Sequence, residues 1–264
     1  MKRILLIAVA AIFPLLASAQ ITTNPLETEL GARVGLTLDK KLAKGLHLQL
    51  EGEARTAGNF TEIGRYDAGL GLTYKLNKTF KFGLGYNMIE KKNSEGVWKM
   101  RHRIYVDAKA TLHAGDWNFS LRERLQLTHK DVNAIKKQTT PNSLTLKSRL
   151  QAAYKGFSHV EPYAYIELRN VFNDPSCSAT WSTVSQTFAD YEFLGYNHAY
   201  LNRVRGSIGA EWKMDKHNSL DFYILTDYCK DKETDTADNG TRLKALYWDQ
   251  TFYGAFCVGY KFSF

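Results

Sequence analysis

Three groups of residues in this sequence have types and spacing that could do chemistry. The first is a ladder of charge on one strand parity. Arg33, Arg55, Arg101, Arg103, Arg122, Arg124, Arg149, Arg169, Arg203 and Arg205 share a face with Glu29, Glu51, Glu53, Asp67, Asp107, Glu161, Glu167, Glu211 and Asp221. Rings of such charge select solutes in a pore. They can equally form a packed polar core, since a buried charge is costly unless an opposite one satisfies it. A packed or narrow lumen is the better reading. The second group is Glu123 and Ser148, each on the apolar parity of its segment, among Leu121 and Leu125 and among Leu146 and Leu150. If Trp117 pairs with Tyr154, Glu123 falls opposite Ser148, and a carboxylate meets a hydroxyl on an apolar face. With an imidazole added, these groups would make a nucleophilic site. His102 has the right parity but lies nearer the far end of its strand, and His198 is remote in sequence. No nucleophile-elbow motif accompanies them. The plainer alternatives are an oligomer contact or a bulge that turns Glu123 inward. The third group is the acid-rich run with Asp231, Glu233, Asp235 and Asp238. Its spacing does not match an EF-hand loop, and a solvated hairpin tip is the better reading. No spacing points to a metal site, and no motif to a cofactor.

The elements that must position these groups are strands. In residues 250–264, Phe252, Gly254, Phe256, Val258, Tyr260, Phe262 and Phe264 fall on one parity, with Thr251, Tyr253, Ala255, Cys257, Gly259, Lys261 and Ser263 on the other. Period-two alternation marks a strand with two different faces. The pattern recurs over residues 27–38, 46–56, 66–76, 80–88, 99–112, 117–128, 144–154, 160–172, 198–212 and 220–228. Most of these segments reach the roughly 9–11 residues that a tilted strand needs to cross a bilayer. Connections alternate in length. Short ones fall at 39–45, 77–79, 114–116, 155–159 and 213–218, and longer ones at 58–65, 89–98, 130–143, 173–197 and 229–249. Aromatics sort with them on the apolar parity. Tyr74, Phe80, Trp117, Tyr154, Trp212 and Phe262 lie beside the short turns, and Tyr66, Tyr86, Tyr200, Tyr228 and Phe252 beside the long loops. Two aromatic girdles around an apolar band, with short turns on one side, predict an all-β, antiparallel, transmembrane up-and-down β-barrel. Because single-chain bacterial barrels have even strand numbers, the expectation is twelve strands, with ten as the fallback.

Composition agrees with this class. The 264 residues are 44% hydrophobic and 13% aromatic, with 5 Pro. That excludes a polytopic helical membrane protein and leaves a barrel open, since only alternate strand residues need meet lipid. Residues 1–19 read as a secretory signal: Lys2 and Arg3, an apolar run from Ile4 to Leu16, and Ala17-Ser18-Ala19 as the cleavage site. Residues 20–264 are then one exported domain of the outer membrane. The net charge of +8 falls to +6 without Lys2 and Arg3, and the basic residues are spread over many strands, which argues against nucleic acid. Cys177, Cys229 and Cys257 cannot all pair with one another; three unpaired small residues is the plain reading and one disulfide the alternative.

The arrangement resembles an uncharacterised family of outer-membrane barrels known as domain of unknown function 2490. The likeness is carried by Gly35-Leu36-Thr37-Leu38-Asp39-Lys40-Lys41-Leu42, by Gly71-Leu72-Thr73-Tyr74-Lys75-Leu76-Asn77-Lys78 with Phe80-Lys81-Phe82-Gly83-Leu84-Gly85-Tyr86, by Arg101-His102-Arg103, and by Val258-Gly259-Tyr260-Lys261-Phe262. The resemblance implies location and fold and supplies no activity. The ending with Tyr260, Phe262 and Phe264 also resembles the C-terminal strand that the barrel-assembly machinery reads. The Glu123–Ser148 pair resembles part of the outer-wall site of some outer-membrane lipid hydrolases. The expected function is a non-enzymatic barrel, as a narrow channel for small solutes, in contact with outer-membrane lipids and lipopolysaccharide. A lipid hydrolase and a scaffold whose long loops bind a partner are the alternatives.

Overall fold

Alternating faces make each segment extend, and pairing every strand on both edges satisfies the backbone only if the sheet closes on itself. It does so here. A computed structural model describes residues 21–264 apart from Ser94; the expected signal and its cleavage site lie outside the described residues. Eleven strands appear among the described residues: β1 (Thr22–Ala43), β2 (Leu46–Ala57), β3 (Glu62–Lys75), β4 (Phe80–Lys92), β5 (Trp98–Ala114), β6 (Trp117–Lys130), β7 (Asn142–Tyr154), β8 (Val160–Ser182), β9 (Thr187–Lys213), β10 (Asn218–Ala237) and β11 (Arg242–Ser263). They form one closed barrel in chain order.

The barrel class is as expected, and each of the eleven alternating segments is a strand. The number is eleven rather than twelve or ten, because closure is not antiparallel. Strand β1 runs parallel to β11, in unbroken register from Leu26↔Gln250 to Asp39↔Ser263. Parallel pairing is slightly weaker per residue, and length offsets this. The short-turn end is tied further, with Phe264 N–H donating to the Asp39 carbonyl and Lys41 N–H to the Phe264 carbonyl.

Apolar side chains point outward, as the parity requires. Val34 is 62% exposed, Ile208 65% and Phe256 61%. Trp117 packs on Tyr154 at 5.2 Å beside the short turns, and Tyr66 on Trp98 at 5.5 Å toward the long ones. One girdle member does not conform. Between β8 and β9 the register passes from Arg169↔Arg203 to Asn170↔Leu201, so Asn202 is an extra residue. This bulge turns Tyr200 inward, where its hydroxyl bonds Asp174 at 3.4 Å.

Two connections expected as long loops, 173–197 and 229–249, are instead mostly strand, so β8 to β11 rise well past β2 to β7. The acid-rich run is therefore not a free solvated tip. Asp231, Glu233 and Asp235 lie in β10, where Thr234 and Thr236 are buried, and Asp238 follows in the exposed turn after it. Beyond it the β10–β11 tip reaches across the mouth to the β6–β7 loop. Thr236 Oγ1 donates to the Lys136 carbonyl at 2.6 Å, and Gln138 Nε2 donates to Asp235 at 2.7 Å. Gly240 sits at the contact with φ +85°, where a Cβ would lie 2.4 Å from the Ile135 carbonyl oxygen. Only glycine fits both constraints. Gly240→Leu is therefore expected to release the tip, seen as faster tryptic cleavage at Arg242 and Lys244 while the barrel's own melting is unchanged.

Candidate functional site

The inner wall is built unevenly. On β3 and β4 the inward positions include Gly69, Gly71, Gly83 and Gly85, and a Cβ at Gly85 would overlap the Tyr105 ring at 2.3 Å. On β5 to β9 the inward positions carry long charged chains. Tyr105, Asn87 and Asp107 take the space beside these glycines, and between the charged chains a cavity of about 660 Å³ remains, whose lining runs from Arg55 and Arg103 down to Lys155, Glu161 and Lys261 beside the short turns. The docked tip lies over the mouth at the other end.

The charges face each other as the parity predicted, and two carboxylates organise half of the ladder's arginines. Glu167, 3% exposed, takes Arg122 at 2.9 Å, Arg149 at 2.8 Å and Arg205 at 3.7 Å. Asp227, also 3% exposed, takes Arg205 at 2.6 Å, Arg203 at 3.3 Å and Arg33 at 3.6 Å. Arg205 thus joins the two hubs. Separately, Arg124 grips Asp107 through two bonds of 2.6 Å while lying 3.8 Å over the Tyr105 ring. Near the long-loop end, Arg55 bridges Glu53 and Asp67, and Arg65 adds a second bond to Asp67 at 2.9 Å. Arg169 bonds Asn202 rather than a close carboxylate, its nearest being Asp231 at 3.9 Å. Glu51 and Arg103 line the cavity, and Arg101 lies beside it on β5. Asp227, Lys147, Arg65 and Tyr165 were not among the expected ladder, although each shares the inward parity of its strand. At the short-turn end Glu161, Glu211 and Asp221 stand in a row on β8, β9 and β10. Lys155 and Lys213 hold Glu161, Ser219 donates to Glu211 at 2.8 Å, and Tyr163 donates to Asp221 at 2.9 Å.

On the outer wall, Trp117 pairs with Tyr154 and Glu123 with Ser148, in an unshifted register. Ser148 Oγ donates to Glu123 Oε2 at 2.6 Å. Leu121 and Leu125 on either side are exposed, so no bulge has turned Glu123 inward. The imidazole does not join them. His102 lies six positions along β5 from Ala108, the neighbour of Glu123, which at about 3.3 Å per residue is roughly 20 Å away. Its Nδ1 is instead paired with the Tyr86 hydroxyl at 2.6 Å. A carboxylate alone is too weak a base to activate serine, so the pair is a polar contact and not an assembled nucleophile. His198 is likewise occupied elsewhere, in the tall wall against Tyr200 and Trp248. All three cysteines are free thiols. Among the described residues no cluster of His, Cys, Asp and Glu is arranged to hold a metal ion.

A family model described as Protein of unknown function (DUF2490) matches residues 34–238, which takes in β2 to β10 whole, the second half of β1 and both carboxylate hubs. No curated protein matches the chain.

Removing one partner from a buried ion network leaves the others uncompensated. Glu167→Gln is expected to cost about 3 kcal/mol or more, read as a lower unfolding temperature in detergent, whereas Glu53→Gln in the more open Arg55 cluster is expected to cost less than about 1 kcal/mol. Burial, with Lys232 adding repulsion, pushes His198 down from 6.5 to about 4. The unfolded segment therefore takes up a proton before the folded one, and the stability that neutral His198 gives the tall wall is lost as pH falls below about 6.5. Asp174 across from it, pushed up to about 6 by burial, acts in the opposite sense. Between pH 7 and pH 4.5, the rate of proteolysis of β8–β9 is expected to rise in wild type relative to His198→Phe, in which that contribution is gone.

Proposed function

This chain belongs to the DUF2490 family of proteins of unknown function, and from its geometry we propose a non-enzymatic barrel of the outer membrane. Its lumen is a narrow path for small solutes. The observation that carries the membrane reading is the outer face. A continuous band of Leu, Ile, Val and Phe stands exposed around the barrel, with aromatic rings at both margins and, within the band, Glu123 as the exception to an apolar surface. In water such a band would associate, and in a bilayer it is the expected surface. Strand β11 carries Tyr260, Phe262 and Phe264 on that same parity, which supports recognition by the barrel-assembly machinery. The lumen supports the solute path: it is polar, charged, and hollow from mid-barrel to the short-turn rim. The docked tip makes this a restricted path, in which passage to the long-loop side requires the tip to move. The hydrolase alternative has its serine–carboxylate contact but no imidazole near it.

Refolded mature protein should migrate on a gel differently before and after heating, and should give small conductance steps in a planar bilayer. Deleting residues 236–243 should enlarge those steps. A mature chain that is monomeric and soluble without detergent would sink the membrane reading, and silence of the tip-deleted protein would sink the path.

A further inference from the structure

Eleven Lys and Arg line the cavity against seven Asp and Glu. Most of the cations are held in the ion pairs above, but three are not. Arg103, Lys109 and Lys147 line the cavity with no carboxylate within 4.0 Å among the described residues. Arg103 has only a 3.1 Å bond from its Nε to Thr128 Oγ1. The neighbours sharpen the imbalance. Lys109 stands directly opposite Arg122, and Arg122 opposite Arg149. Lys147 stands opposite Arg124 on one side and Arg169 on the other. Like charges placed directly across from each other destabilise a sheet. Here that arrangement is repeated over four strands and aimed into a hollow.

The wall is also held in place. Arg149 is stacked 3.9 Å over the Tyr165 ring while its Nε donates to Glu167 at 2.8 Å. Arg122 uses Nη2 on the same carboxylate, and its buried Nε has no hydrogen-bond partner. Donors ordered beforehand lose little entropy when a ligand arrives.

We propose that the cavity binds a small oxyanion carrying two or more negative charges, of the phosphate or polycarboxylate class, through Lys109, Arg122, Lys147 and Arg149. The proposal rests on reading the lumen as a solute path and names the class of solute. Guanidiniums meet such oxygens in planar forks and lysines as point charges. The volume lies inside the range of about 300–1,000 Å³ typical of small-molecule sites, so an organic body of modest size fits beside the charged group. The ligand enters from the short-turn end, since the tip covers the other.

Equilibrium dialysis of the folded protein in detergent against labelled inorganic pyrophosphate tests this, with choline as the cationic control. Saturable binding is expected for pyrophosphate and none for choline. Lys147→Met should weaken binding about tenfold, the worth of one charge-assisted hydrogen bond. The same variant should melt higher than wild type without ligand, because it removes a repelled charge; a residue retained only for the fold would melt lower. Lys109→Met provides an independent second variant. Absence of saturable binding by protein that shows the folded gel band overturns the proposal, as does binding that both variants leave unchanged. Binding with no conductance sinks the solute path and leaves the site standing, while conductance with no binding sinks the site alone.

Discussion

Five guanidiniums in the lumen share two carboxylates, and without Glu167 and Asp227 the inner faces of β6 to β9 would be a sheet of like charge. The outer face requires an apolar side chain at every second position, which leaves the other set to fill a tube too wide for apolar packing by strands alone. Long charged chains fill it, and each must find a partner or face the cavity. Arg205 binds both hubs, so β8, β9 and β10 are linked inside the barrel as well as through their backbones. The small apolar cluster of Leu225, Ala255 and Cys257, with Tyr223 and Tyr253 against it, occupies only one flank.

Much of this could be read from alternation. Parity placed the charged ladder inward and set Glu123 against Ser148, because β5, β6 and β7 run without a register shift and a single anchoring pair, Trp117 with Tyr154, determines the rest. Where the register shifts, parity misleads. The extra residue at Asn202 reverses the positions just before it on β9, up to the next irregularity, and Tyr200 leaves the outer girdle to bond Asp174. Several irregularities between Arg169 and Thr180 also hid the upper part of β8, where Asp174, Pro175 and the serines that follow do not alternate. The hubs were out of reach for another reason. Glu167 gathers arginines 18, 38 and 45 residues away, and only closure of the barrel brings those chains to one point.

The outer wall is a case of geometry separating two meanings of the same residues. Glu123 and Ser148 are where strand pairing puts them, and their contact satisfies a carboxylate that would otherwise sit alone among leucines. The catalytic meaning needs a third group, and the strand that carries His102 holds it near the rim. Distance along a strand is rigid in a way that distance along a loop is not, so a small adjustment does not bring it down.

The parallel seam has a topological consequence. In an even-stranded barrel the first and last strands end side by side, and a short turn could join them while the chain is cut elsewhere. Here Thr22 lies at the tall end of the seam and Ser263 at the short-turn end. A bridge between them would have to travel on the order of 55 Å along the strand direction, either through the occupied lumen or over the apolar exterior. Circular permutation by a simple hairpin is therefore closed to this barrel, and the order in which its strands leave the chain is fixed by its geometry.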